Sequence, residues 1–210
     1  MLPPEEPPIK PFFYFNGFNS AILDDYSDNP KIVAVDGYAK SRGYRFAPVS
    51  VCYRQAREQA SEILAMVEES AEVAVFCGSS MGGWFARIIQ LMLANERPEI
   101  RTAAIAFNPA YDLSMYGHLL LGKQRNHVTF EEYEWTIDHS NQLRALESGV
   151  RYGAALPFFV YIDKGDEVIG WERSSLRHAP IASLTLFEGG CHSFDHYYEA
   201  LANFDKSFHG

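Results

Sequence analysis

The sequence predicts an α/β fold built on a parallel, doubly wound sheet of about six strands. Three observations point to it. Short runs rich in aromatic and β-branched residues recur along the chain, and helical patterns fill the intervals between them, which is the alternation of βαβ units. The third is the stretch CGSSMGGW at 77–84, which breaks a strand-like run with glycine and starts a helix at once.

Taken in order, residues 1–11 (MLPPEEPPIKP) are proline-rich and acidic, unsuited to a helix or a central strand, and are expected to form a flexible tail. With 210 residues, 47% of them hydrophobic, the chain can bury one sizeable core, and a single domain is expected over 12–210. Strands are expected near 12–16, 44–49, 72–77, 102–107, 157–162 and 182–187. Helices are expected near 30–41, 54–70, 82–95, 170–178 and 195–208; in the second of these Ala56, Ala60, Leu64 and Val67 recur at three or four residues and make one apolar face. The interval 111–155 is too long for a plain crossover and predicts two or three short helices inserted as a small lid. The strand order expected for this layout is 2-1-3-4-5-6.

Charge limits the function classes. The chain carries 18 Lys and Arg against 27 Asp and Glu, a formal charge of -9, without the basic face that nucleic acid or an anionic membrane requires. No apolar run reaches bilayer length, and FFYF is too short for the apolar core of a signal peptide, so a soluble cytoplasmic protein is expected. Three cysteines at wide spacing, Cys52, Cys77 and Cys191, suit reduced thiols better than a disulfide framework or a zinc site.

The glycine stretch carries the chemistry. Gly78-Ser79-Ser80-Met81-Gly82 matches G-x-S-x-G, the turn that holds a nucleophilic serine in a strained, exposed position between a strand and a helix, with Ser80 at its centre. The competing reading is a glycine-rich turn that only tightens a βα junction. A serine hydroxyl is a weak nucleophile at neutral pH and needs a histidine base and an orienting acid. Asp166 follows the fifth expected strand and His192 the sixth, so that Ser80, Asp166 and His192 stand in the chain order of α/β-hydrolases, each just past a strand's carboxyl end. Asp163, three residues before Asp166, is the alternative acid. For the developing oxyanion, the Met81 N–H is placed by its position after the nucleophile. In the loop Asn16-Gly17-Phe18-Asn19-Ser20 after the first strand, the Phe18 N–H is the candidate second donor, because Gly17 lets the backbone come close.

On these motifs the chain resembles the small esterases of the YqiA/YcfP type, compact α/β-hydrolases that begin at what is the third strand of larger members. FNGFNS is similar to the family's HGFNS and GSSMGGWFA to its GSSLGGYYA; FNPA at 107–110, GDEV at 165–168 and GGCHSF at 189–194 complete the likeness. The resemblance implies Ser80 as nucleophile, Asp166 as acid, His192 as base and 111–155 as lid. Asn16 stands where the family pattern has histidine, and with its shorter reach it is expected to leave the loop formed but less firmly braced.

The remaining conspicuous residues have plainer roles. Cys191 is expected as a small buried thiol; His118, His127 and His139 lack metal-ligand spacing; His178, His196 and His209 are expected at the surface; and Tyr111, Tyr116, Tyr133 and Trp135 as lid packing. The expected activity is cleavage of a small carboxylic ester by a Ser-His-Asp acyl-enzyme mechanism, needing no cofactor and no metal. A thioesterase is the alternative within enzymes, and a non-catalytic binding or scaffold protein the alternative outside them.

Overall fold

The computed structural model describes residues 9–150 and 155–210. The tail expected over 1–11 lies outside the described residues as far as position 8, and Pro11 already belongs to a strand, where the first position makes its missing N–H harmless.

Eight strands and seven α-helices follow along the described chain: β1 (Pro11–Phe15), α1 (Pro30–Ser41), β2 (Arg45–Val49), α2 (Ala56–Ala65), β3 (Val73–Ser79), α3 (Met81–Glu96), β4 (Arg101–Phe107), α4 (Leu113–Tyr116), β5 (Gly122–Arg125), β6 (Glu132–Trp135), α5 (Ile137–Gly149), β7 (Phe158–Asp163), α6 (Trp171–His178), β8 (Ser183–Phe187) and α7 (Tyr197–Phe208). Six strands pair in parallel in the order β2-β1-β3-β4-β7-β8, which is the expected 2-1-3-4-5-6 once the hairpin β5–β6 is set aside. The chain leaves β1 for one side of the sheet and returns to the other at β3, so the crevice between the carboxyl ends of these two strands is the switch point where open α/β sheets hold ligands.

Side-chain alternation explains how both faces are covered. Phe13, Phe15, Ala74 and Phe76 point to a core shared with α2, α3 and α5, whereas Phe12, Tyr14, Val75 and Cys77 point to one shared with α1 and α7. Buried on both faces, such strands read as continuous apolar runs. Helix α1 begins where sequence chemistry asks it to, with Asn29 accepting the Ile32 N–H at 3.2 Å and Pro30 in the first turn.

Two elements differ from expectation. The helix expected over 54–70 is a 3-10 turn at Tyr53–Gln55 followed by α2, which stops at Ala65. Arg97 caps the turn beyond it, donating to the Val67 and Glu68 carbonyls at 2.7 Å each, so these oxygens need no helical partners. The excursion after β4 contains the expected helices α4 and α5 and, between them, the antiparallel hairpin β5–β6. Glu-rich EEYEW has no strong β signal of its own. Its conformation is fixed by Asn126, whose side chain accepts the Val128 and Thr129 N–H groups in the connecting turn, and by contacts with the loop after β1.

Candidate active site

Ser80 lies between β3 and α3 with φ 57° and ψ -124°, a conformation that no L-residue adopts without strain. The flanking glycines make the turn possible by close approach of main chains. A Cβ on Gly78 would stand 2.3 Å from the Gly82 carbonyl carbon, and one on Gly82 would stand 2.3 Å from the Phe15 carbonyl oxygen. The turn is anchored by the Ser80 N–H donating to the Phe107 carbonyl at 2.9 Å.

The structure brings Ser80, Asp166 and His192 together. The Ser80 Oγ lies 3.1 Å from His192 Nε2, and His192 Nδ1 lies 3.0 Å from both carboxylate oxygens of Asp166. Asp166 is aimed by its own loop, its Oδ1 accepting the Val168 and Ile169 N–H groups at 2.8 Å. Acceptance from two N–H groups fixes the carboxylate plane and with it the orientation of its second oxygen.

Asp163 does not reach His192. It ends β7 fully buried and holds the histidine loop from beneath, accepting the Asp195 N–H at 2.7 Å and pairing with His196 Nδ1 at 2.6 Å. Asn108, at the end of β4, adds a second grip: its Nδ2 donates to the Cys191 carbonyl at 2.8 Å while its Oδ1 accepts the Asp163 N–H at 2.8 Å. Glu167 accepts the His192 N–H at 3.0 Å. The loop carrying His192 is thus tied to three strand ends and loops rather than left free.

On the other side of Ser80, the loop after β1 comes close enough that a Cβ on Gly17 would be 3.3 Å from the Ser80 Cβ. Met81, as the first residue of α3, has no acceptor within the helix for its N–H. Phe18 packs edge-on against the buried Trp135 with ring centroids 5.1 Å apart. The expectation of a loosely braced loop is corrected here. Asn16 is buried, donates through Nδ2 to the Gly17 and Ser20 carbonyls at 2.9 and 2.7 Å, and accepts the Val51 N–H at 2.6 Å, while its own carbonyl accepts the Tyr53 hydroxyl at 2.5 Å. The hairpin completes the brace, with Asn19 bonded to Gln124 and Tyr133 and Asn126 donating to the Ser20 carbonyl. Asn16→Ala is therefore expected to leave a buried Val51 N–H unpaired, lowering stability by about 2 kcal/mol. If the loop supplies an oxyanion donor, turnover at this site should fall on the order of tenfold as the loop loosens, part of the roughly 3 kcal/mol that a whole donor is worth. Thermal melting and steady-state kinetics of the variant check both.

Other expected positions shift. His178 is buried, bonded to the Ser174 carbonyl at 2.8 Å, with its pKa lowered by burial; it is not a surface histidine. His196 is half-buried, stacked on Phe187 at 4.7 Å. Cys191 is half-buried, and Cys77 is the fully buried thiol, its pKa pushed up by burial. Among the described residues no helix is long and apolar enough to cross a membrane.

The architecture is that of an α/β-hydrolase, and solved structures with this fold superpose over nearly the whole chain. Est1E from Butyrivibrio proteoclasticus matches with a TM-score of 0.67 at 17% identity, covering 96% of this chain and 88% of its own. Alpha/beta hydrolase domain-containing protein 10 from mouse matches with a TM-score of 0.63 at 18% identity, covering 94% and 89%. The esterase domain of a Rhodothermus marinus protein gives 0.60 at 17% identity, covering 97% and 86%. The model of the family described as Uncharacterised protein family (UPF0227) matches residues 12–208, and the chain belongs to that family. No curated protein matches the sequence significantly.

Proposed function

We propose that the protein is a serine hydrolase that cleaves a small carboxylic ester through an acyl-enzyme on Ser80. The observation that carries this reading is the continuous chain from the strained Ser80 through His192 to Asp166, with contacts of 3.1 and 3.0 Å. With the Nδ1–H assigned to Asp166, the neutral ring turns the Nε2 lone pair to the Ser80 hydroxyl, the tautomer a general base requires. Ser80 Oγ bonds to the ester carbonyl carbon as its proton passes to Nε2. The Met81 and Phe18 N–H groups hold the oxyanion. The leaving alcohol departs with the proton from Nε2; water then attacks the acyl-serine, giving up its proton to the same nitrogen, which returns it to Ser80 Oγ as the C–Oγ bond breaks and the acid is released. No step calls for a cofactor or metal. A cytoplasmic setting suits the free thiols Cys52, Cys77 and Cys191.

Steady-state hydrolysis of a short p-nitrophenyl ester and its matched acyl-thiol tests the proposal. Saturable ester turnover with the higher kcat/KM on the ester is expected. Preference for the thiol ester would move the reading to a thioesterase, and absence of turnover on both would sink it.

A further inference from the structure

We propose that Lys31 is a positioning residue for this site, its ammonium bridging the nucleophile turn and the histidine loop from behind and so setting the approach of His192 to Ser80. Lys31 Nζ donates to the Ser79 Oγ at 2.9 Å and to the Ser193 carbonyl at 2.6 Å. Ser79 directly precedes Ser80, and Ser193 directly follows His192. One side chain therefore holds the chain neighbours of both reacting groups. Asn108, Asp163 and Glu167 grip the histidine loop from the β4 and β7 side; Lys31 alone of these four reaches from it to the elbow.

Two features argue that the lysine is not there for stability. It stands in the first turn of α1, where the helix dipole disfavours a cation. Burial also lowers its pKa to about 8, opposed by the carboxylates of Asp195 of the histidine loop and Asp163 of β7. Because the folded value lies below the unfolded one, the folded state is penalised in full below about pH 8, and the penalty fades as the pH rises toward the unfolded value of 10.5. Near pH 7, a neutral residue of similar shape removes that penalty together with the bridge.

The kinetic arm of the test rests on the serine-hydrolase reading, and the spectroscopic arm does not. For Lys31→Met, kcat on a short ester is expected to drop by about tenfold to a hundredfold with KM within about twofold, as for a displaced catalytic group. The melting temperature at pH 7 should stay the same or rise. In parallel, the downfield proton NMR signal of the His192 Nδ1–H bonded to Asp166, assigned by its absence from His192→Gln, should broaden or shift in the folded variant. If kcat and this signal are both unchanged, or if activity falls only together with melting temperature, the proposal is overturned. If the wild type cleaves no ester, the functional reading fails, and the NMR signal decides the positioning role: perturbed with stability retained supports it, unperturbed refutes it. Ser79→Ala, which cuts one end of the bridge, is scored by the same two readouts where Lys31→Met does not fold.

Discussion

Replacing Ser80 by alanine is expected to reduce turnover of a short activated ester by on the order of 10³-fold or more while the protein stays folded. The hydroxyl makes its contact with His192 and, in the proposed mechanism, is the atom that bonds to the acyl group, so its loss would remove the covalent step itself. Alanine keeps the Cβ, and with it the backbone strain at φ 57°, so melting should be nearly unchanged. Glycine at the same position tolerates a positive φ and should stabilise the protein by about 1 kcal/mol or more, raising the melting temperature by roughly 2–4 °C while activity is equally lost. A strained residue whose relief stabilises the fold and abolishes activity is the expected signature of a site kept for chemistry. Retention of near-normal rates by Ser80→Ala would contradict the account.

The second large effect is on stability. Gly82→Ala would place a methyl group 2.3 Å from the Phe15 carbonyl oxygen and 2.6 Å from that of Asn16. Both obstacles are main chain at the end of β1, next to the proposed oxyanion loop, and cannot rotate away as a side chain would. A cost of about 3 kcal/mol, at the upper end of overpacking, is expected. This corresponds to a fall of roughly 6–12 °C in melting temperature for a chain of this size. Ester turnover should fall too, because α3 and the Phe18 loop must move apart. An unchanged melting curve would show that the elbow has slack that the close approach denies.

What could be read from the sequence follows from how locally each feature is encoded. Ser80 announces itself because a strained turn needs glycine on both sides within five residues, and the strand and helix around it are written in adjacent apolar patterns. The doubly wound sheet is legible for the same reason, since strands buried on both faces read as unbroken apolar runs. Asp166 and His192 are found through chain order, yet choosing Asp166 over Asp163 depends on how the turn Gly165-Asp166 is aimed, and the partner of Asp163, His196, lies 33 residues away. Lys31 is harder still, because its partners stand 48 and 162 residues off and no local pattern marks a lysine in a first turn as anything but a surface charge. The hairpin β5–β6 escapes detection because Glu132-Tyr133-Glu134-Trp135 takes its conformation from Asn19 and Gln124 rather than from its own propensity. Asn16 looks like a weakened histidine in sequence. In the folded chain its smaller amide satisfies three partners in a space closed by Tyr53 and Val51.

The most direct measurement is intact-protein and peptide mass spectrometry after treatment with a fluorophosphonate, which reacts preferentially with an activated serine. One adduct per chain is expected, mapped to the peptide containing Gly78-Ser79-Ser80-Met81-Gly82 and to Ser80 within it, with no adduct on Ser80→Ala and slowed labelling of Asp166→Asn. An unlabelled wild-type chain, or a label on Ser79 or any other residue, would contradict the assignment of Ser80 as nucleophile and favour a hydrolase fold used for binding alone or for chemistry elsewhere.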